Sequence, residues 1–291
     1  MITRFDHIII AARDLDEATQ LYRDGLGLDT RFGGRHTGRG THNAIIRFGL
    51  DYLEILSVVD EMELRAAPAK RARLLDFLAH QTGGLLAYCL ATNDIDALAD
   101  RFRSAGLDAL GPFEMERTRP DGIVLKWRLL IPGGSAYRQP WPFFIQWEMP
   151  DAERLTHETR GEHPLGVTKV CGIAVTVANL ASAHYLYSEQ LGLTLSTEDS
   201  VPELGAARLR YQLGSFGIDL LAPLGAGSIQ DELDKQGEGV YSITMQVGSL
   251  KTTLDLLRGK RILAAAPLGY ENLVAIERSA TTGSRLWFAG R

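Results

Sequence analysis

The chain has 291 residues, 45% hydrophobic and 23% charged, an ordinary globular composition with length for two buried cores. A formal charge of −5 gives no footprint for nucleic acid, and no apolar run approaches membrane-spanning length. The first residues enter a strand pattern without a signal peptide's apolar core. The two cysteines, Cys89 and Cys171, fall in predicted strands, so free thiols in a reducing cytoplasm are expected.

Residues 5–12 form the first predicted strand, in which His7 stands as a polar group amid apolar residues. Asp14 with Glu17 three residues on reads as a helix N-cap and capping box, and Leu15, Ala18, Leu21 and Tyr22 share one helical face. Gly25 is expected to end that helix. Residues 33–43 are rich in glycine, arginine and histidine, which suits either a hairpin connection or an anion cradle with Arg35 or Arg39. Residues 43–48 and 52–58 read as strands joined by the turn Gly49-Leu50-Asp51. The second of these carries Glu54 among apolar residues. Ionisable groups on buried strands need a partner or a purpose, because an unpaired buried charge is costly. By period two, His7 shares a face with Ile9 and Ala11, and Glu54 shares one with Tyr52 and Leu56.

This βαβββ unit recurs. An amphipathic stretch at 68–80 leads to a strand at 85–92 and a helix at 94–104 closed by Gly106. Strands follow around 123–131 and 143–148, and the polar segment 150–166 reads as a linker. A shift of 165 residues then superposes Leu21–Leu28 on Leu186–Leu193, Gly40 on Gly205, Gly49 on Gly214 and Glu54 on Asp219. A helix at 228–236, a strand at 240–247, a helix at 250–257 and a strand at 285–288 complete the second half. The sequence therefore predicts an α+β fold of four βαβββ modules in two tandem halves, 1–150 and 166–291.

Three stretches of the first half carry a family resemblance, and Gly237-Glu238-Gly239-Val240-Tyr241-Ser242-Ile243 in the second half adds to it. The first is Phe5-Asp6-His7-Ile8 with Asp14-Leu15-Asp16 and Leu26-Gly27-Leu28. The second joins Gly33-Gly34-Arg35-His36 and Gly40-Thr41-His42-Asn43 to Tyr52-Leu53-Glu54. The third is Trp127-Arg128 with Pro142-Phe143-Phe144-Ile145-Gln146-Trp147. The pattern resembles the vicinal oxygen chelate superfamily, and within it the glyoxalase-like domain proteins. The resemblance implies paired modules that close into a cup, where a divalent metal polarises adjacent substrate oxygens. Carried over, His7, Glu54 and Gln146 take the metal positions, for Zn, Ni, Mn or Fe, with metal-free acid–base chemistry left open. His36, Asn43, Arg128 and Trp147 are expected to bind substrate. Ala87, Gly172 and Ser242 stand at positions that would otherwise hold ligands, so the second half is expected to be degenerate.

Each residue also has a plainer reading. A strand histidine is commonly a hydrogen-bonded core residue, and Glu54 is a candidate ion-pair partner for Arg47 or Arg128. His80, His157, His163 and His184 are expected at the surface. The resemblance implies a lyase- or isomerase-type enzyme with His7 and Glu54 catalytic, acting on a small oxygenated, anionic substrate. The alternative is a metal-free protein of the same fold that sequesters a small molecule. Neither nucleic acid nor membrane is expected as a partner, and a homodimer is compatible with the superfamily.

Overall fold

The computed structural model describes residues 1–67, 71–118 and 122–291. Strand β1 (Ile2–Ala12) leads to α1 (Leu15–Gln20), which Asp14 caps by accepting the Glu17 N–H at 2.9 Å. The helix runs on as π-helical turns over Leu21–Leu26 and ends at Gly27, left-handed at φ 77°, rather than at Gly25. The wider turns carry the chain past Gly25, so the left-handed residue comes two positions later. Strands β2 (Thr30–His36), β3 (Thr41–Arg47) and β4 (Tyr52–Val58) complete the first module. Helices α2 (Glu61–Ala66) and α3 (Arg73–His80) occupy the joint, where residues 68–70 of the expected amphipathic stretch lie outside the described residues. The second module is β5 (Gly83–Thr92), α4 (Ile95–Ser104), β6 (Ala109–Thr118), β7 (Val124–Pro132) and β8 (Phe143–Trp147).

The glycine-rich stretch is a β2–β3 hairpin. Its turn requires Gly40. At φ +67° a Cβ there would lie 2.2 Å from the Asp60 carbonyl and 2.4 Å from the Leu64 nitrogen, so the tip packs directly on the start of α2.

The second half begins after α5 (Asp151–His157), a helix inside the expected linker. It runs β9 (Val167–Thr176), α6 (Leu180–His184), β10 (Thr194–Val201), β11 (Ala206–Leu213), β12 (Phe216–Pro223) and α7 (Ser228–Gln236). Then come β13 (Gly239–Val247), α8 (Leu250–Gly259), β14 (Ala264–Ala265), β15 (Leu273–Ile276) and β16 (Leu286–Ala289). Each half forms one eight-stranded sheet, ordered β2-β3-β4-β1-β5-β8-β7-β6 and β10-β11-β12-β9-β13-β16-β15-β14. The 165-residue repeat is kept in the ladders. His7 pairs with Tyr52 and Ile9 with Glu54, as Gly172 pairs with Gly217 and Ala174 with Asp219.

Strand alternation divides each sheet into two faces. In the first half Ile8, Ile10, Leu130 and Phe144 pack with the helices, in a core shared with Ile173, Tyr187 and Ile218 of the second half. Phe5 stacks on Phe216 with centroids 4.4 Å apart, and the Tyr88 and Tyr187 hydroxyls meet between the halves. The opposite face curls inward, lined by Ile9, Leu129, Ile131, Phe143 and Ile145, and holds the site. Cys89 and Cys171 are free thiols. Among the described residues no helix is long and apolar enough to cross a membrane.

Candidate active site

The floor of the first-half cup is built from β1, β3 and β4. Glu54 is buried there, with its Oε2 3.7 Å from Nε2 of His7 and its Oε1 3.6 Å from Nε2 of His36. The Asn43 amide donates to Glu54 Oε1 at 2.7 Å. His36 and Asn43 reach the same point because they lie on neighbouring strands in a ladder that pairs Gly34 with Asn43 and His36 with Thr41. Gly33 sits in a bulge of that ladder. A Cβ on it would fall 2.3 Å from Asn43 Oδ1, so the missing side chain leaves room for the amide.

His7 is held from behind. The β1–β5 register shifts between Phe5 and His7, and in that irregularity Asp6 turns its carboxylate to its own neighbour, with Oδ1 2.7 Å from His7 Nδ1. Asp6 Oδ2 accepts from Arg4 Nη1 at 2.8 Å and from Trp147 Nε1 at 2.9 Å. With the Nδ1–H donating to the Asp6 carboxylate, His7 Nε2 is the atom that faces Glu54. The ring is fixed further by stacking on Tyr52, centroids 4.6 Å apart, and by the edge of Phe143.

Burial works against ionisation of Asp6, but the His7 hydrogen bond and the charges of Arg4, His7 and Arg154 outweigh it, leaving its pKa well below the ordinary value. Glu54 follows the same logic: burial opposes its charge, and His36, His7, the Asn43 amide and Arg71 together leave its pKa below the usual glutamate value. Burial lowers the His36 pKa, and Arg71, Arg117 and Arg39 add to the effect beyond the opposing pull of Glu54. His36 is therefore neutral near pH 7, with Nδ1 2.9 Å from the Thr41 hydroxyl and a lone pair on Nε2 that accepts from Asn43 at 3.3 Å. The floor thus presents an ionised carboxylate between two imidazoles.

The walls are apolar and cationic. Trp127, Phe143 and Trp147 line one side, while Arg39, Arg47, Arg71 and Arg117 reach in from the other, around a space of about 90 Å³. Drug-sized sites run to roughly 300–1,000 Å³, so this one suits a small ligand. Arg47 lies over Tyr52, 4.6 Å from the ring centroid, and its Nη2 is 2.8 Å from Glu158 just past α5. Fully buried Arg154 also bonds Glu158, at 2.5 Å, and covers the Trp147 ring at 3.6 Å. The presumed linker is therefore a supporting wall, whose two buried polar residues, Arg154 and Glu158, pair with one another and with the cup.

His7, Glu54, His36, Asn43 and Trp147 come together, as the sequence suggested, whereas Arg128 and Gln146 do not. Arg128 bonds Asp96 of α4 at 2.9 and 3.1 Å, and Gln146 accepts from Arg128 and from the Ile95 N–H on the helix-covered face. The inward residues of β7 and β8 are Trp127, Leu129 and Ile131, and Phe143, Ile145 and Trp147. An offset of one residue moves a side chain to the other face. Glu54 pairs with neither Arg47 nor Arg128. His163 is not at the surface; its Nε2 contacts the Arg47 carbonyl at 2.8 Å and its ring packs on Phe48.

Asp6, Arg71, Tyr137, Arg154 and Glu158 belong to the site or its support without having been singled out. Only Asp6 carried a signal, as a carboxylate beside a histidine at the mouth of an apolar strand. Asp6, His7 and Cys89 also place three donor atoms within 4.8 Å. They make a poor metal set, because both Asp6 oxygens are engaged and burial raises the Cys89 thiol pKa well above its ordinary value. In the second half the same shift puts Arg208 and Arg210 where Asn43 and Ile45 stand. Arg210 clamps Asp219 at 2.6 and 2.8 Å, and Tyr241, Tyr270 and Trp287 pack that interior.

A glyoxalase-like domain family matches residues 5–191. A hypothetical protein from Staphylococcus aureus aligns over 99% of both chains, with 19% identity and a TM-score of 0.71. A mutant of 4-hydroxymandelate synthase from Streptomyces coelicolor aligns over 100% of this chain and 93% of its own, with 16% identity and a TM-score of 0.64. Methylmalonyl-CoA epimerase from Mycobacterium tuberculosis aligns with 43% of this chain and 89% of its own, at 23% identity and a TM-score of 0.38. No curated protein matches the sequence. With an eight-stranded cup in each half and a family match over most of its length, the chain belongs to the glyoxalase-like domain family.

Proposed function

We propose that the first-half cup is the active site of a lyase- or isomerase-type enzyme acting on a small, oxygenated anion. The observation that carries this is the ionised Glu54 held between His7 and His36 in a cup whose other charged lining residues are all arginines. An ionised carboxylate in a confined space is a general base, and its oxygens are already oriented. Glu54 Oε2 takes the Cα proton of a 2-hydroxy acid, the electron pair left behind moves into the carboxyl group as an enediolate, and return of the proton to Cα closes the cycle. Asn43 holds Oε1 still. Nε2 of His7 exchanges a proton with the neighbouring substrate oxygen, while Asp6 and Tyr52 keep the imidazole from turning. The arginines draw the anion in, and the tryptophans exclude water.

The donor chemistry also suits a divalent metal. Neutral His36 Nε2, His7 Nε2 and ionised Glu54 are the two-histidine, one-carboxylate type of set, with His36 taking the place expected for Gln146. When bound, such a metal supplies Lewis-acid polarisation of the substrate oxygens. The second reading, a sequestering protein of the same fold, draws on the aromatic wall of Trp127, Phe143 and Trp147. Turnover measured over a panel of small 2-oxo and 2-hydroxy acids, with and without added Mn, Fe, Ni or Zn, tests the proposal. The enzyme reading expects turnover that Glu54→Gln removes while ligand binding persists. Binding of the same acids without turnover in any metal form would establish sequestration.

A further inference from the structure

Among the described residues, two guanidinium groups of the cup have no carboxylate partner. Arg71, just before α3, gives Nη1 to the Tyr137 hydroxyl at 3.2 Å, and its buried Nε has no hydrogen-bond partner. Arg39, in the β2–β3 turn, directs Nη2 at Met115 Sδ, 3.4 Å away and a weak acceptor. Among the described residues neither forms an ion pair, whereas Arg47 and Arg117 already share Glu158 at 2.8 and 3.7 Å. Burial and the positive charge of Arg71 both lower the Arg39 pKa, so the two cations oppose one another. Neighbouring like charges and a buried unpaired donor are costly to keep, and an anion placed between them removes both costs.

We infer that Arg39, Arg71 and the Tyr137 hydroxyl form a seat for one carboxylate, so the ligand is a small monocarboxylate with an apolar remainder. The inference rests on reading the cup as the active site and names its substrate class. Planar guanidinium groups match a carboxylate's two oxygens, and the Tyr137 hydroxyl, which accepts from Arg71, keeps its own proton to donate. The cup offers one such seat. The other two arginines of the cup, Arg47 and Arg117, already share Glu158, so among the described residues a second carboxylate would find no cation without an anion of its own. The charge of Arg71 acts on both Glu54 and His36, so an acid seated there lies within electrostatic reach of both.

Isothermal titration of the full chain with lactate, 2-hydroxyisovalerate, malonate and inorganic phosphate tests this. Melting curves confirm that Arg71→Gln, Arg39→Gln and the milder Tyr137→Phe are folded. Charge-assisted hydrogen bonds of this kind make a loss of about 10-fold or more in monocarboxylate affinity the expected result for each arginine variant. A smaller loss is expected for Tyr137→Phe, and malonate should bind no better than lactate. Monocarboxylate affinity unchanged in both arginine variants, or tighter binding of malonate or phosphate, would overturn the seat. Heat of binding is independent of turnover. Arginine-dependent lactate binding without chemistry would uphold the seat and refute the enzyme, whereas turnover indifferent to Arg71 would refute the seat alone.

Discussion

Replacing Asp6 by Asn tests how His7 is held. Asp6 is fully buried and accepts from Arg4, His7 and Trp147 within 2.9 Å, with Arg154 3.9 Å away. Asparagine keeps the shape but removes the charge and turns a donor toward one of these donors. Arg154, itself fully buried, retains Glu158 and Asp151 but loses the third of its carboxylate partners. Breaking a buried ion-pair network in this way costs about 3–5 kcal/mol. At about 2–4 °C per kcal/mol for a domain of this size, the melting temperature should fall by roughly 6–20 °C. The pH dependence gives an independent check. The folded Asp6 pKa lies below its ordinary 3.8, so the stabilisation is complete above that value and lost as pH falls through the folded one. Urea unfolding followed by tryptophan fluorescence should therefore show a gap between wild type and Asp6→Asn at neutral pH that closes in acid. A neutral-pH loss under about 1 kcal/mol, or a gap that persists into strong acid, would refute the argument.

Gly33→Ala should displace the Asn43 amide, lowering stability by about 1–3 kcal/mol in thermal melts and weakening any reaction that uses Glu54. Arg128→Ala and Gln146→Ala, both on the helix-covered face, should leave ligand affinity within about 2-fold of wild type in the same titrations. A 10-fold loss in either would show that the faces of β7 and β8 are misassigned. Glu54 must be ionised to take a proton. Although burial opposes its charge, its neighbours hold its pKa below 4.5, so the acid limb of kcat/KM should fall below that pH. Elemental analysis after metal loading should find any bound divalent metal lost in His7→Ala, Glu54→Ala and His36→Ala, but retained in Gln146→Ala.

The fold was legible because each module repeats the same capped helix and apolar strands, and the 165-residue register survives in the ladders. His7 and Glu54 stood out as ionisable groups on apolar strands, and His36 and Asn43 through a shared motif. Arg128 and Gln146 were misplaced because strand faces alternate with period two, and nothing local in β7 or β8 fixes that parity. Phe143 and Trp147 face the cup while Gln146 between them does not. Arg71, Tyr137, Arg154 and Glu158 were not legible. They reach the site from a joint, a loop and a linker, through contacts far apart in sequence that no local pattern records. Their polarity suggested surface, yet Arg154 and Glu158 are buried because each satisfies the other.

The most direct test of the central claim is exchange of the Cα proton for deuterium in lactate and related 2-hydroxy acids, followed by proton NMR in D₂O. The account predicts enzyme-dependent exchange in the wild type and in Arg128→Ala, lost in Glu54→Gln and sharply reduced in His7→Ala. Tight binding of the same acids with no exchange in any of these proteins would contradict it, and would make the cup a binding site without proton chemistry.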